Sequence, residues 1–178
     1  YKKLSQKEIL SKKKELGLKE NDFVVLMIAE LNENKNQVQL IEAMEVLKDT
    51  YPEIKAICVG EGDKLSELQS EVKNRGLEGK VNFLGFRNDI NELINICNIG
   101  VLLSYREGLP RNLMELMACG KKVIATNIRG CRDIVVDETV GEIVEVGDYE
   151  ATAKAIENQY LYGDNQFIIS KEIEKLKK

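Results

Sequence analysis

The sequence contains no histidine and no tryptophan. Without histidine, the Ser–His–Asp and Cys–His nucleophile systems and the usual zinc sites are excluded, and no metal site is predicted. Four cysteines are present, Cys58, Cys97, Cys119 and Cys131, but no two of them form a CxxC redox or zinc motif. Three of them lie in or beside apolar runs, where a free cysteine behaves as a small hydrophobic residue. We therefore expect unpaired thiols and a reducing cytosol.

Long apolar runs are also missing. No segment reaches the roughly 18 consecutive apolar residues that span a bilayer, and no signal peptide is recognisable. The net charge is −4 with scattered lysines, so we expect no nucleic-acid partner. The chain opens on Tyr1 rather than Met, as expected for a piece of a longer protein. Its 178 residues, 43% of them hydrophobic, predict one domain with a substantial core.

Strand-like and helix-like segments alternate along the chain. Ser5 and Glu8 have the spacing of a capping box, which predicts a leading helix that ends near Gly17, within a helix or linker region at 1–20. Strands are predicted at 23–30, 54–60, 81–85, 99–104, 122–126 and 141–146. Helices are predicted at 36–51, 63–75, 88–96, 111–119, 129–136 and 148–160, with a C-terminal helix at 163–178. This alternation predicts a doubly wound, Rossmann-like α/β fold with a mostly parallel sheet of about six strands flanked by helices.

In such folds ligands bind beyond the carboxyl ends of the strands, so a phosphate-binding motif is expected in the loops there. The segment VGEGDKL contains Gly60 and Gly62 but no third glycine, so it fails the dinucleotide fingerprint, and a plain tight turn explains it equally well. The segment ACGKKV is not a P-loop, because Glu115 stands where glycine is required and Lys122 where Ser or Thr is required.

The segment REGLPRNLMELMACG, residues 106–120, is more informative. Glu107 and Glu115 flank a turn and the start of a predicted helix. Pro110 suits the first turn of a helix, and Gly108 lets backbone approach a ligand closely. The free N–H groups of that first turn and the helix dipole predict an anion site, and two flanking acids suit the hydroxyls of a sugar nucleotide. The alternative is that both glutamates are solvated surface residues.

The segment EGLPRNLMELMACGKKVIATNIRGCRDIV resembles the E-x7-E region of the retaining, nucleotide-sugar-dependent glycosyltransferases with the GT-B architecture, the group-1 family often called family 4. The resemblance continues upstream through ELNENKNQVQLIEAM, VGEGDKLSEL and VNFLGFRNDI, and downstream through TVGEIVEVGDYEATAKAI. It covers nearly all of residues 20–160. Several ordered motifs with the right spacing are far more specific than any one of them.

The resemblance implies two catalytic residues. Lys35 would neutralise the diphosphate leaving group, and Glu107 would contact hydroxyls of the donor sugar. Gly108 and Leu109 would place N–H groups near the phosphates at the turn that Pro110 completes. Glu115 would hold the ribose.

The resemblance also implies that Gly60, Phe83 and Arg87 line the base and phosphate side of the donor. One position departs from the family pattern, which usually has Arg five residues before the lysine, where this chain has Glu30. An acid beside a diphosphate would be repulsive unless it points away or binds a sugar hydroxyl. Glu30 is therefore expected to contact substrate without any phosphate role.

The implied activity is hexosyl-type transfer with retention, without a cofactor or an obligatory metal, from a nucleotide-diphosphate sugar, expected to be a UDP-sugar. The implied setting is polysaccharide or glycolipid synthesis in the cytoplasm, with peripheral association at the inner face of the membrane as one option. A complete GT-B enzyme has a second, N-terminal domain that binds the acceptor. We expect residues 1–178 to be the donor-binding domain alone, inactive in isolation.

Two other functions stay open on the sequence. A degenerate, non-catalytic sugar-nucleotide-binding or scaffold domain would explain Glu30, although the joint presence of Lys35, Glu107 and Glu115 argues against it. A sugar-nucleotide epimerase of similar architecture is the other, and the lack of histidine counts against it.

Overall fold

The computed structural model describes residues 1–163. Apart from Gly163, the predicted helix at 163–178 lies outside the described residues. The strands are β1 (Phe23–Ile28), β2 (Ile54–Val59), β3 (Val81–Phe83), β4 (Ile99–Leu102), β5 (Lys122–Thr126) and β6 (Gly141–Val144). The helices are α1 (Gln6–Glu15), α2 (Gln37–Leu47), α3 (Leu65–Asn74), α4 (Ile90–Ile96), α5 (Arg111–Ala118), α6 (Arg129–Arg132) and α7 (Tyr149–Tyr162), with a 3-10 helix at Glu33–Lys35.

The six strands form one sheet in the order β3-β2-β1-β4-β5-β6, and every pairing is parallel. In the centre, Val25 of β1 lies opposite Ala56 of β2 on one side and Ile99 of β4 on the other. The predicted doubly wound fold is therefore confirmed, and the sheet is wholly rather than mostly parallel.

Both faces of the sheet are covered, which explains why β1 is an uninterrupted apolar run rather than an alternating one. Val25 and Met27 pack with α2, α3 and α7 on one face. Val24 and Leu26 pack with α4, α5 and α6 on the other. Burying side chains of this size contributes about 1.5–3 kcal/mol each, so the two cores fix the sheet and hence the positions of the loops at its edge.

The leading helix has the predicted cap. The Ser5 hydroxyl accepts from Glu8 N at 3.2 Å, and Ser5 N donates to the Glu8 carboxylate at 3.3 Å. The helix ends at Glu15, and Gly17 follows with a φ of 72°, which glycine adopts without steric cost. Among residues 1–163, no helix has both the length and the apolar character needed to cross a membrane.

Several predicted boundaries were wrong. The first strand ends at Ile28 rather than residue 30, and the fourth ends at Leu102 rather than residue 104, so both extended segments turn into loops earlier. The helix predicted at 129–136 is a single turn, and the helix predicted at 36–51 ends at Leu47. The 3-10 helix at 33–35 was not predicted, because it depends on the Asn32 side chain accepting from Lys35 N at 3.0 Å.

Strand order reverses between β1 and β4. The chain moves outward from β1 through β2 to β3 in one direction, and from β4 through β5 to β6 in the other. Connections that diverge in this way leave a crevice outside the carboxyl ends of the two central strands. The loops that follow β1 and β4 form its walls.

Candidate functional site

The two loops of the crevice are joined through Asn34. Its backbone carbonyl accepts from Tyr105 N at 2.9 Å. Its side-chain amide donates to Arg106 O at 3.1 Å, and its side-chain oxygen accepts from Arg106 N at 3.1 Å. These three hydrogen bonds of Asn34 hold the loop after β1 against the loop after β4.

An ion pair spans the crevice between these loops. Lys35 Nζ donates to Glu107 Oε1, and Ser104 Oγ donates to the same oxygen at 2.8 Å. The two charged side chains are only 22% and 11% exposed, respectively, so each needs the other to offset its lost hydration. Within the described residues, Glu107 Oε2 accepts no hydrogen bond. The structure therefore brings together the two residues predicted to be catalytic and leaves one carboxylate oxygen without a partner there.

Residues of β5 and α6 pack beside the Lys35–Glu107 pair and the loop that carries Glu107. Thr126 Oγ1, fully buried at the end of β5, donates to Ser104 O at 2.7 Å. Cys131 of α6 lies close to the pair, and its burial together with the Glu107 carboxylate raises the pKa of the thiol to about 11. At Gly130 an added Cβ would lie 2.4 Å from Glu107 O, so α6 touches the loop backbone directly.

The turn before α5 has the geometry of an anion site. Pro110 is buried and precedes the helix, and Met114 N donates to Pro110 O at 3.2 Å. Among the described residues, no acceptor faces the backbone N–H groups of the turn, those of Gly108, Leu109 and Arg111. Exposed N–H groups at a helix N-terminus attract anions, and the anion site at this turn stays a prediction.

Glu115 is half-buried on α5, with Tyr1 beside it, and its contact with a ribose stays a prediction. Burial and the neighbouring Glu115 carboxylate raise the pKa of the Tyr1 phenol. The segment that carries Tyr1 is held on α4, where Asn91 Oδ1 accepts from Lys2 N at 2.8 Å and Asn95 Nδ2 donates to Lys2 O at 2.9 Å. No motif or spacing in the sequence indicates Tyr1.

Gly60 and Glu30 lie at the mouth of the crevice. A Cβ at Gly60 would lie 2.1 Å from Ala29 O, so the glycine is required for the close approach of the loops after β1 and β2. Its N–H donates to Gly85 O at 2.9 Å. Glu30 is exposed, and its backbone oxygen accepts from Gln37 Nε2 at 2.9 Å. Its side chain is open to solvent, and its contact with substrate stays a prediction.

Phe83 and Arg87 make contacts outside the crevice. Phe83 is half-buried against the core on the α2, α3 and α7 face. The Arg87 guanidinium binds Asp89, with Nε donating to Oδ1 at 2.8 Å, and lies 3.6 Å from Glu15. Lys12 of α1 binds the same aspartate at 3.0 Å. A donor contact from Arg87 would need an exchange of partners, and it stays a prediction.

Ser104, Thr126, Asn34 and Gly130 shape the site but were not found from the sequence. Thr126 and Asn34 act on backbone atoms far away along the chain, which no local pattern reveals. Gly130 was the one with an available signal, since a glycine inside a predicted helix often marks a close backbone approach.

The sequence matches the family described as glycosyl transferases group 1 over residues 8–166. The chain belongs to this family. Over 144 residues, 81% of the chain, it is 42% identical to EpsD of Bacillus subtilis (strain 168), a protein assigned as a glycosyltransferase, and this match covers 38% of EpsD. It is also 30% identical over 148 residues to the Escherichia coli enzyme UDP-Gal:alpha-D-GlcNAc-diphosphoundecaprenol alpha-1,3-galactosyltransferase, covering 82% of this chain and 38% of that enzyme.

Solved structures agree with this assignment of the group-1 family. The crystal structure of Anabaena Alr3699/HepE in complex with UDP-glucose matches with a TM-score of 0.83 and 32% identity, covering 89% of this chain and 44% of that one. Related crystals contain the same protein with UDP, and with UDP and glucose. The predicted family and the Rossmann-like half of a GT-B fold are confirmed. The chain spans about two-fifths of the length of these relatives.

Proposed function

We propose that this glycosyltransferase domain binds a nucleotide-diphosphate sugar in the crevice between the loops after β1 and β4. The observation that carries the proposal is the half-buried pair of Lys35 and Glu107, which faces the N-terminal turn of α5 at the point where strand order reverses. A cation and a row of N–H groups suit a diphosphate, and the flanking acids suit sugar hydroxyls.

In the proposed complex, the diphosphate takes the Lys35 ammonium and the N–H groups of Gly108 and Leu109. Glu107 Oε2 accepts from a hydroxyl of the donor sugar, and Glu115 accepts from the ribose. During transfer of a hexosyl group with retention, negative charge builds up on the departing diphosphate. Lys35 and the helix tip are already in place to stabilise that charge, which is the main contribution we assign to this domain.

The relatives support a UDP-sugar as the donor. HepE holds UDP-glucose in its crystal, and the name of the Escherichia coli relative specifies UDP-Gal and a diphosphoundecaprenol-linked acceptor. We extend this to a role in polysaccharide or glycolipid synthesis at the cytoplasmic side of the membrane. Because the chain spans two-fifths of these relatives, we propose that a further domain holds the acceptor and that residues 1–178 alone bind donor without transferring it.

Calorimetric titration of the domain with UDP, GDP and ADP tests the proposal. Lys35→Ala should weaken UDP binding by about 1.5–3 kcal/mol, roughly 10- to 150-fold, because a charge-assisted contact to the diphosphate is lost. Lys154→Ala is the matched control, since Lys154 is an exposed lysine on α7 that pairs with Glu157 at 3.2 Å. An unchanged affinity in Lys35→Ala removes Lys35 from the site.

The same titration separates the proposal from a degenerate scaffold domain. A domain that has lost donor binding takes up none of the three nucleotides, whatever the state of Lys35. Detectable sugar transfer by the isolated chain to any acceptor would contradict the proposed division of labour between domains.

A further inference from the structure

Gln39, on the first turn of α2, is 1% exposed, and its side-chain amide is fully hydrogen-bonded. Its Oε1 accepts from Asn36 Nδ2 at 2.8 Å and from Gly147 N at 2.7 Å. Its Nε2 donates to Thr152 Oγ1 at 3.0 Å and to Glu145 O at 3.1 Å. A backbone N–H can only donate and a backbone carbonyl can only accept, so these partners allow one orientation of the amide.

Asn36, the residue that follows Lys35, has a left-handed backbone with φ 55° and ψ 45°. It is the one residue other than glycine with a positive φ in the described part of the chain. This conformation costs an ordinary residue roughly 1–2 kcal/mol and is tolerated best by asparagine. Besides Gln39, the Asn36 amide donates to Leu103 O at 3.1 Å, at the end of β4.

The far side of the Gln39 amide is anchored by the start of α7. Asp148 caps this helix, with its side chain accepting from Ala151 N at 2.9 Å. Thr152 Oγ1 donates to Asp148 O at 2.8 Å while it accepts from Gln39. The helices α2 and α7 pack against each other in one core. Gln39 therefore connects a rigid helix start on one side to the Asn36 turn on the other.

We propose that Gln39 is a positioning residue for the crevice: through the Asn36 amide it holds the left-handed turn that places Lys35 against Glu107. Asn36 is the joint between the 3-10 helix that carries Lys35 and helix α2. If Asn36 relaxes to a right-handed conformation, the direction of the chain changes at that joint and the ammonium leaves the diphosphate side. The inference rests on the proposed donor site, because Lys35 matters only if a diphosphate binds there.

The first test uses Gln39→Met in the whole chain, with the milder Gln39→Asn in reserve should the methionine variant not fold. The 13Cα and 13Cβ chemical shifts of Asn36, measured without ligand, should leave their left-handed values. In titrations, UDP affinity should fall about tenfold, while uridine, which has no phosphate for Lys35 to contact, should bind within about twofold of wild type. Unchanged Asn36 shifts, or equal losses for UDP and uridine, would overturn the inference.

The second test is rescue by glycine. Glycine adopts the left-handed turn without the help of a side chain, so in an Asn36→Gly background Gln39→Met should cost UDP affinity no more than about twofold. A full tenfold loss in that background would show that Gln39 does not act through the turn. Thr152→Val is the comparison for general damage, because it removes a partner of Gln39 Nε2 and leaves the Asn36 contact intact.

The two proposals fail in different ways. A wild-type domain that binds no UDP contradicts the donor site, and the ligand-free shifts of Asn36 still decide whether Gln39 holds the turn. A wild-type domain that binds UDP through Lys35 but tolerates Gln39→Met contradicts the role of Gln39 alone.

Discussion

Gly130→Ala tests the proposed donor site indirectly, because Gly130 lies outside the site and contacts the loop that carries Glu107. Gly130 is buried on α6, more than twenty residues after the loop that it touches. A Cβ at this position would lie 2.4 Å from Glu107 O and 2.8 Å from Gly108 O. Ordinary van der Waals contact begins at 3.4 Å, so the loop must retreat by about 1 Å.

The expected magnitude has two parts. Forcing a methyl group against backbone atoms in a packed interior costs about 1–3 kcal/mol of folding free energy. A shift of the loop also moves the Glu107 carboxylate from its place beside Lys35, and with it the Gly108 N–H of the same loop. Losing one charge-assisted contact to the donor corresponds to about 1.5–3 kcal/mol, so UDP-sugar affinity should fall roughly 10- to 150-fold.

The assay combines urea unfolding with calorimetric titration under conditions where each variant is fully folded. Gly141→Ala is the matched control, since its Cβ would lie 2.2 Å from Val123 O, a similar backbone clash at the first residue of β6, away from the crevice. Gly141→Ala should lose stability and keep its affinity. Equal affinity losses in both variants would show a general effect of stability, and wild-type affinity in Gly130→Ala would refute the account of how α6 supports the loop.

Two further predictions concern Asp89 and Glu115. Arg87, with a contribution from Lys12, holds the pKa of the Asp89 carboxyl well below its usual range. The stability that this gives is present above the unfolded-state pKa of about 3.9 and is lost as the pH falls through the folded-state pKa. Asp89→Asn should therefore lower the free energy of unfolding by about 1.5–3 kcal/mol at pH 7. In urea unfolding, the difference in stability between wild type and variant should shrink below about pH 4. A difference that stays constant with pH would contradict the ion pairing. Glu115→Ala should weaken UDP and uridine alike, by about tenfold in titrations, whereas a loss confined to sugar-bearing ligands would reverse the roles of Glu107 and Glu115.

The alternation of strands and helices was predictable because each element has to bury an apolar surface of its own. The ends of the strands were not predictable in this way: residues 29–30 and 103–104 were predicted as strand but lie beyond the ends of β1 and β4. Ala29 and Leu103 continue the apolar runs by one residue, but strand pairing ends at Ile28 opposite Val59 and at Leu102 opposite Ala125. Strand order was also beyond local patterns, since it depends on which side of β1 each crossover packs.

Some residues of the candidate site were likewise predictable from the sequence, and others were not. Lys35, Glu107 and Glu115 could be predicted from the sequence because they belong to a spaced motif. Thr126 and Asn34 could not, because they work through contacts with residues that only the fold makes neighbours.

The pairing of Lys35 with Glu107 has a consequence for how a donor enters. Each charge is mostly buried, so removing either partner would leave the other uncompensated at a cost of several kcal/mol. In the proposed complex, an arriving diphosphate would give Lys35 a second anion, and the sugar hydroxyls and Ser104 would then offset the negative charge of Glu107. Donor binding would thus redistribute hydrogen-bond partners among groups that are already desolvated and oriented. A site arranged this way needs little reorganisation when the diphosphate departs, which is the condition under which fixed charges stabilise a leaving group most effectively.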